Sequence, residues 1–280
     1  IGDLGQFSLA GAQPKTGLYY DSEDHRWGLP HGHTPTTHIL KPTTGTFESY
    51  DLNEHFCLRL STQLGLPTAT SSLTTIGETP VIIVERFDRI SLDGRMQRIH
   101  QEDSCQALSR PPTTKYENEG GPSAKDIFGL IRDFSDRPQE DVQRFLDALL
   151  FNWIIGGTDA HAKNYSFLLA EEGQVRLAPL YDLSSALPYP QDIPYQKARL
   201  AMKIGSTYEL ARVDDHQWEK SAKIWQISQS QLEQQREDLS ARTPEALRAV
   251  VEELTAELPA DQDTSLLHQL STAILSRTTG

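Results

Sequence analysis

The sequence is short of cysteine, short of basic residues relative to acidic ones, and without long apolar runs. Its two cysteines, Cys57 and Cys105, lie in unrelated surroundings (HFCLRL and EDSCQAL), which signals neither a disulfide framework nor a thiolate zinc site. No segment approaches the roughly 18 uninterrupted apolar residues of a spanning helix. The opening IGDLGQFSLAG also lacks the basic-then-apolar pattern of a secretory signal. The expectation is a cytoplasmic protein with no membrane partner. Lys and Arg number 26 against 39 Asp and Glu, a formal net charge of −13. Affinity for nucleic acid comes mainly from neutralising phosphates with cations, so direct DNA contact by this chain alone is not expected. Internal repeats and low-complexity tracts are missing too. The first residue is Ile1 rather than Met, and the opening reads as the approach to a strand, so further sequence upstream is expected.

What is present is a globular composition, 37% hydrophobic and 23% charged, in a chain of 280 residues, long enough for two lobes or one large domain. Residues 1–100 are rich in β-branched residues and turns, with strands expected at 16–20, 37–40, 72–75 and 81–87. One helix interrupts them. Asp51 to Glu54 open it, Leu52, Phe56, Leu60 and Leu64 repeat at helical spacing, and Gly65 with Pro67 closes it. Beyond residue 100 the pattern turns helical, after a turn-rich stretch at 109–123 that reads as surface. A core helix follows Pro138 and stops at Gly156-Gly157. Segments 165–170 and 174–180, joined by Glu171-Glu172-Gly173, then read as a β-hairpin. Several helices are expected from about 206 onward, one of them at 244–258. The fold class is therefore α+β, with a smaller β-rich lobe over 1–100 and a mostly helical lobe over 101–280.

The chemistry is concentrated between the core helix and the hairpin, in Asp159-Ala-His161-Ala162-Lys163-Asn164, with Tyr181-Asp182 just after the hairpin. Phosphoryl transfer asks little covalent work of a protein. It needs a carboxylate aimed at the attacking hydroxyl and oxygen ligands holding Mg²⁺ on the phosphates. In protein kinases the catalytic Asp precedes a metal-binding Asn by five positions, and a second metal-binding Asp follows. Asp159, Asn164 and Asp182 repeat that layout, and Lys163 could neutralise a γ-phosphate. Two other readings stay open from these residues alone: a polar loop capping a helix, and an Asp-x-His metal pair completed by His31, His33 or His38. Upstream, Lys41 ends a strand and could reach nucleotide phosphates, with Glu54 as its ion-pair partner. Ala10, Gly11, Ala12, Gln13, Pro14 and Lys15 offer small residues through which backbone N–H groups approach phosphate oxygens. This stretch is no P-loop, because Lys15-Thr16 lacks the preceding Gly.

Together SLAGAQPKT, THILKP, VERFDR, DAHAKN and LYDLSSALPY occur in the order found in the HipA family, the kinase toxins of bacterial toxin–antitoxin pairs, and the chain resembles that family over essentially its whole length. The resemblance implies a two-lobed kinase fold using ATP and Mg²⁺. In it, residues 10–15 correspond to the phosphate-covering loop, Lys41 to the phosphate-binding lysine, and Glu85, Arg86 and Phe87 to the adenine-facing hinge. His161 to Asn164 with Tyr181 and Asp182 would complete the nucleotide site, with Asn164 and Asp182 on the metal and Asp159 as base. Ser8 matches the serine that family members autophosphorylate. The family further implies an aminoacyl-tRNA synthetase as protein acceptor and a small helix-turn-helix antitoxin as partner, with DNA met only through that antitoxin. Pro14 stands where an acidic residue is usual and Ala160 where Gly is usual. The β-rich amino-terminal subdomain of full-length relatives is not in this sequence, which leaves antitoxin binding by this chain in question. A small-molecule kinase of the same fold and an inactive corepressor scaffold are the alternative readings.

Overall fold

Alternating β-branched and apolar residues before residue 90 form strands because one sheet face can be covered by a single helix. The structure, a computed structural model, describes residues 14–31, 34–43, 47–92, 95–260 and 262–278. Ser8, Ala10, Gly11, Ala12, Gln13 and His33 lie outside the described residues. In chain order come β1 (Thr16–Asp21), β2 (Arg26–Gly28), β3 (His38–Pro42), α1 (Tyr50–Gln63), β4 (Ser71–Ile76) and β5 (Thr79–Glu85). The five strands form one antiparallel sheet in the order β2-β1-β3-β5-β4. In its register Leu40 faces Ile83 while Lys41 faces Ile82. Period-two alternation therefore turns Leu40, Val81 and Ile83 to one side, with Leu18, and Lys41 with Ile82 to the other, where α1 packs.

A hairpin, β6 (Arg89–Leu92) and β7 (Arg95–Arg98), leads into β8 (His100–Asp103) and the single turn α2 (Ser104–Ala107). Helices α3 (Ala124–Phe134) and α4 (Pro138–Ile155) follow, then the hairpin β9 (Ser166–Leu169) and β10 (Val175–Leu177). Another hairpin, β11 (Arg199–Ile204) and β12 (Thr207–Glu209), precedes α5 (Asp215–Trp225), α6 (Gln229–Glu257) and α7 (Ser265–Thr278). Helix α3 begins with a reciprocal cap between Ser123 and Asp126. Helix α4 has Pro138 in its first turn and ends on Gly156, which takes a left-handed conformation (φ 65°).

Three expectations from the sequence need correction. The region past residue 100 does not open with helix: β8 pairs with β9 to give the three-stranded order β10-β9-β8. His100-Gln-Glu-Asp103 carries no apolar alternation, so it is the open edge of β9, and not a hydrophobic pattern, that makes it a strand. Second, the region from about 206 does not start with helix: Thr207–Glu209 form β12, paired with β11 across a turn through Gly205 at φ +61°. Third, Pro244 does not begin a helix but lies inside α6, which is capped by Ser228, whose side chain accepts from the Gln231 N–H at 3.0 Å. The one N–H bond lost to Pro244 is offset because Leu239, Ala246, Leu247, Val250 and Leu254 continue one buried stripe across it, against α1, α4 and α7.

Helix α1 joins the two halves. It touches β4 and β5 on one side and α6 and α7 on the other, and its stripe Leu52, Phe56, Leu60 and Leu64 belongs to the one large core that also takes in α3, α4, α6 and α7.

Candidate active site

Three charged side chains meet under the sheet. Lys41 on β3 is 5% exposed, and its Nζ donates to Glu54 Oε1 of α1 at 2.6 Å and to Asp182 Oδ1. Burial alone would lower the Lys41 pKa, but the Asp182 and Glu54 carboxylates outweigh it and hold the ammonium above its ordinary value. Asp182 is pulled the other way, below the usual carboxylate range, because Lys41 and Lys15 outweigh the upward push of burial. Glu54 is raised by its complete burial and by Asp182, only partly relieved by Lys41. Lys15 also lies in this field, with its pKa lowered chiefly by burial and by Lys41, against Asp182.

Asp182 is placed by two sets of bonds. Before it, Leu180 exchanges backbone hydrogen bonds with the α1–β4 connection, accepting from Ala69 and donating to the Pro67 carbonyl, each at 2.8 Å. After it, Ser185 is clamped by Asn53 of α1, whose Oδ1 accepts from the Ser185 N–H at 2.9 Å and whose Nδ2 donates to the Ser185 carbonyl at 2.8 Å. Between these anchors Asp182 takes a left-handed conformation (φ 54°), which Asp tolerates better than most residues. Asn164, 7% exposed, donates from Nδ2 to the Asp182 carbonyl at 3.4 Å, and its Oδ1 has no hydrogen-bond partner among the described residues. An amide oxygen and a carboxylate brought together in this way are hard oxygen donors, the kind Mg²⁺ takes alongside phosphate oxygens and water.

The loop carrying Asp159 is fixed from both ends. The Ser185 hydroxyl donates to the Ile155 carbonyl at 2.6 Å, and the Ala186 N–H donates to the Gly156 carbonyl at 3.1 Å. Gly157 donates to the Asn152 carbonyl at 2.7 Å, and a Cβ there would stand 2.5 Å from Asn152 Oδ1, so a larger residue would have to displace the Asn152 amide. The Asp159 carbonyl accepts from the His161 N–H at 2.8 Å, and the His161 carbonyl from the Asn164 N–H at 2.9 Å. Ala160 is not among the residues with positive φ, so its methyl group is accommodated without strain. Asp159 itself is exposed and borders a pocket of about 400 Å³ whose walls include Tyr50, Tyr116, Thr158, Ser184, Tyr189 and Arg199.

The remaining expected site residues divide. Phe87 leaves β5 and lays its ring against Tyr181, centroids 5.6 Å apart, so the hinge segment and the metal-side segment touch. Glu85 is exposed at the end of β5, and the Arg86 guanidinium grips Asp88 at 2.9 and 2.7 Å. The Tyr181 hydroxyl donates to the Lys163 carbonyl at 2.6 Å. Lys163 itself turns to Asp103 of β8, its Nζ 3.0 Å from Oδ2. Ala162 is fully buried in the turn Ala162–Asn164, and Pro14 is exposed at the first described position. His161 is 6% exposed, and burial pulls its imidazole below its ordinary pKa. The Asp-x-His metal reading finds no partner: His38 stands among the rings of Tyr20 and Trp27, and no group of three metal-capable side chains occurs among the described residues.

Two functional-looking residues escaped sequence reasoning. Tyr116 lies in the stretch read as surface, yet its hydroxyl donates to Asp159 Oδ1 and its ring stands edge-on to His161, centroids 5.1 Å apart. A lone tyrosine among turn formers (PTTKYENEGG) was the only signal available. Asp103 was hidden because it belongs to an unpatterned strand.

Residues 7–261 match the HipA-like C-terminal domain. The chain belongs to that family. Among its relatives, the Sinorhizobium fredii protein Y4mE, named as a candidate kinase, is 42% identical over 91% of this chain and 59% of its own length. The serine/threonine-protein kinase toxin HipA of Shewanella oneidensis is 31% identical over 97% of this chain and 63% of its own. The chain thus spans about six-tenths of the length of these relatives. The solved complex of Shewanella oneidensis HipA with HipB and operator DNA superposes its HipA-like chain with a TM-score of 0.85 at 29% identity, covering 98% of this chain and 65% of that one. The Helicobacter pylori proinflammatory kinase CtkA matches at a TM-score of 0.61 and 16% identity, covering 98% and 91%, a likeness of fold. The α+β architecture described above is accordingly a two-lobed, kinase-like fold in a family of kinases.

Proposed function

We propose that this chain transfers the γ-phosphoryl group of ATP to a serine or threonine hydroxyl of a protein, with Mg²⁺ as cofactor. The observation that carries the reading is the convergence of Lys41, Glu54 and Asp182 with Asn164, beside an exposed Asp159 at the mouth of a pocket. Residues 1–100 then form the nucleotide lobe and 101–280 the acceptor lobe. Lys41, oriented by Glu54, and Lys15 supply positive charge for nucleotide phosphates, and the segment Glu85, Arg86 and Phe87 faces the adenine. Mg²⁺, held by Asn164 and Asp182, would neutralise charge on the phosphate oxygens. Asp159 accepts the proton of the acceptor hydroxyl as the new O–P bond forms and the bond from the γ-phosphorus to the bridging oxygen breaks, releasing ADP.

Family resemblance points to an aminoacyl-tRNA synthetase as acceptor. The solved HipA–HipB–operator complex supports an antitoxin as partner, which family resemblance makes a small helix-turn-helix protein through which DNA is contacted. The charge of −13 suits a chain that leaves DNA to a basic partner. Autophosphorylation falls on Ser8. A phosphate there adds nearly two negative charges beside a loop meant to receive ATP phosphates, so loop and nucleotide would repel. Incubation with Mg²⁺-ATP followed by intact mass and peptide mapping tests this. One added phosphate on Ser8, lost in Asp159→Asn while ATP binding persists, is expected. ATP binding with no transfer to Ser8 or to any protein would instead favour a small-molecule kinase or an inactive corepressor scaffold.

A further inference from the structure

The Tyr116 hydroxyl forms the only hydrogen bond to the Asp159 carboxylate among the described residues, through Oδ1. The segment that delivers it is held on three sides. Lys115 O accepts from Ala162 N in the Asp159 loop at 3.3 Å, Tyr116 O accepts from Gly121 N at 2.9 Å, and a Glu117 carboxylate oxygen accepts from the Lys203 N–H at 2.7 Å. Gly121 is required for this closure, since a Cβ there would meet the Thr114 and Tyr116 carbonyl oxygens at 2.6 and 2.7 Å. The ring rests edge-on against buried His161 and forms one wall of the pocket that Asp159 borders. A carboxylate has two oxygens, and an acceptor hydroxyl needs one of them. Resting on the reading of Asp159 as base, we propose that Tyr116 is a positioning residue: it anchors Oδ1 so that Oδ2 is the oxygen offered to the acceptor hydroxyl in the pocket.

Three further observations bear on this. An exposed aspartate otherwise samples several rotamers, and a fixed donor removes that freedom before the acceptor arrives. Burial, and then the Asp159 carboxylate, raise the Tyr116 phenol above its ordinary pKa, so it stays a donor throughout the working pH range. The titratable groups facing Asp159 are Tyr116, Tyr50 and His161, with Lys115, Glu119 and Asp182 behind them, and of these Tyr116 alone makes a side-chain bond to it.

Tyr116→Phe removes the bond and keeps the ring on His161. The rotamer distribution of Asp159 is read at one fixed pH from three-bond couplings to its carboxyl carbon, by NMR on protein with isotope-labelled aspartate, the signal being assigned by its absence in Asp159→Asn; this readout needs no acceptor. One dominant rotamer is expected in the parent chain and an averaged set in Tyr116→Phe, because the bond that fixes the carboxylate is lost. Transfer from Mg²⁺-ATP to a library of Ser/Thr peptides should fall about tenfold in kcat with KM for ATP unchanged. Unchanged couplings, or a faster Tyr116→Phe enzyme, overturn the proposal, the second by making Tyr116 a plug on the base. Transfer surviving in Asp159→Asn overturns the base assignment itself, which unchanged couplings beside an inactive Asp159→Asn do not.

Discussion

At the scale of single residues, Lys41 is the hub: one buried ammonium serves two carboxylates. Glu54 is 2% exposed and depends on Lys41 for its charge, whereas the Asp182 side chain, 37% exposed, is partly served by solvent. Removing the lysine should therefore cost more than removing either acid. Lys41→Met is expected to lose about 3–5 kcal/mol in urea unfolding at neutral pH, the cost of stranding a buried charge, and Glu54→Gln clearly less, because Lys41 keeps Asp182. Equal losses would mean that Asp182 takes no share of the lysine. Lys41, Glu54, Asp159, Asn164 and Asp182, the residues proposed for the site, could all be named from the sequence, since an Asp-x₄-Asn spacing and the end of a strand leave marks there. Tyr116 left only a lone ring among turn formers: its bond to Asp159 spans 43 positions of the chain and is made by a loop with no period.

Among the elements, α1 shows how far an amphipathic pattern reaches. Its apolar stripe announced a helix and one buried face. That Asn53, Glu54 and His55 on its other sides are also buried was not readable, because a helix between a sheet and a helical layer is covered all round until its last turn, where Thr62 and Gln63 are exposed. Each polar residue there bonds a different neighbour: Asn53 the Ser185 backbone, Glu54 the Lys41 ammonium, and His55 the Ser71 hydroxyl of β4 at 2.8 Å. Burial, with Arg59 nearby, pushes the His55 pKa down to about 4. Its folded pKa thus lies below the unfolded value, so the unfolded chain binds the extra proton between them. The contribution of His55 is complete above about pH 6.5 and is lost as pH falls toward 4, about 3 kcal/mol in all. Unfolding free energies between pH 7 and pH 4 should fall less steeply in His55→Gln than in the parent chain. Parallel slopes would show that the imidazole takes up its proton equally well in the fold.

Over the whole molecule, the residues proposed for the nucleotide site lie where the sheet, α1 and the helical half come together: Lys41 from β3, Glu54 from α1, Asp182 and Asn164 from beyond α4. A nucleotide seated there would tie both halves together and raise the unfolding temperature by mass action. At a hundredfold excess over Kd the gain is about 2.7 kcal/mol. A thermal shift with Mg²⁺-ATP is expected in the parent chain and in Asp159→Asn, and not in Lys41→Met. A shift retained in Lys41→Met would place the nucleotide elsewhere.

Hydrophobic period and Gly or Pro boundaries, which are local signals, marked four of the five strands of the sheet, α1, α4 and the β9–β10 hairpin, while the short β2 left no such mark. The sequence by itself also determined the order of the charged motifs, which was enough to recognise the family. Tertiary structure alone decided that β8 joins β9, that α6 runs on through Pro244, that Lys163 turns to Asp103 and that Tyr116 holds Asp159. Each of these is a long-range pairing, or a local cost that distant packing outweighs. Local pattern does not encode such choices, because the partner that makes them favourable exists only once the chain has closed on itself.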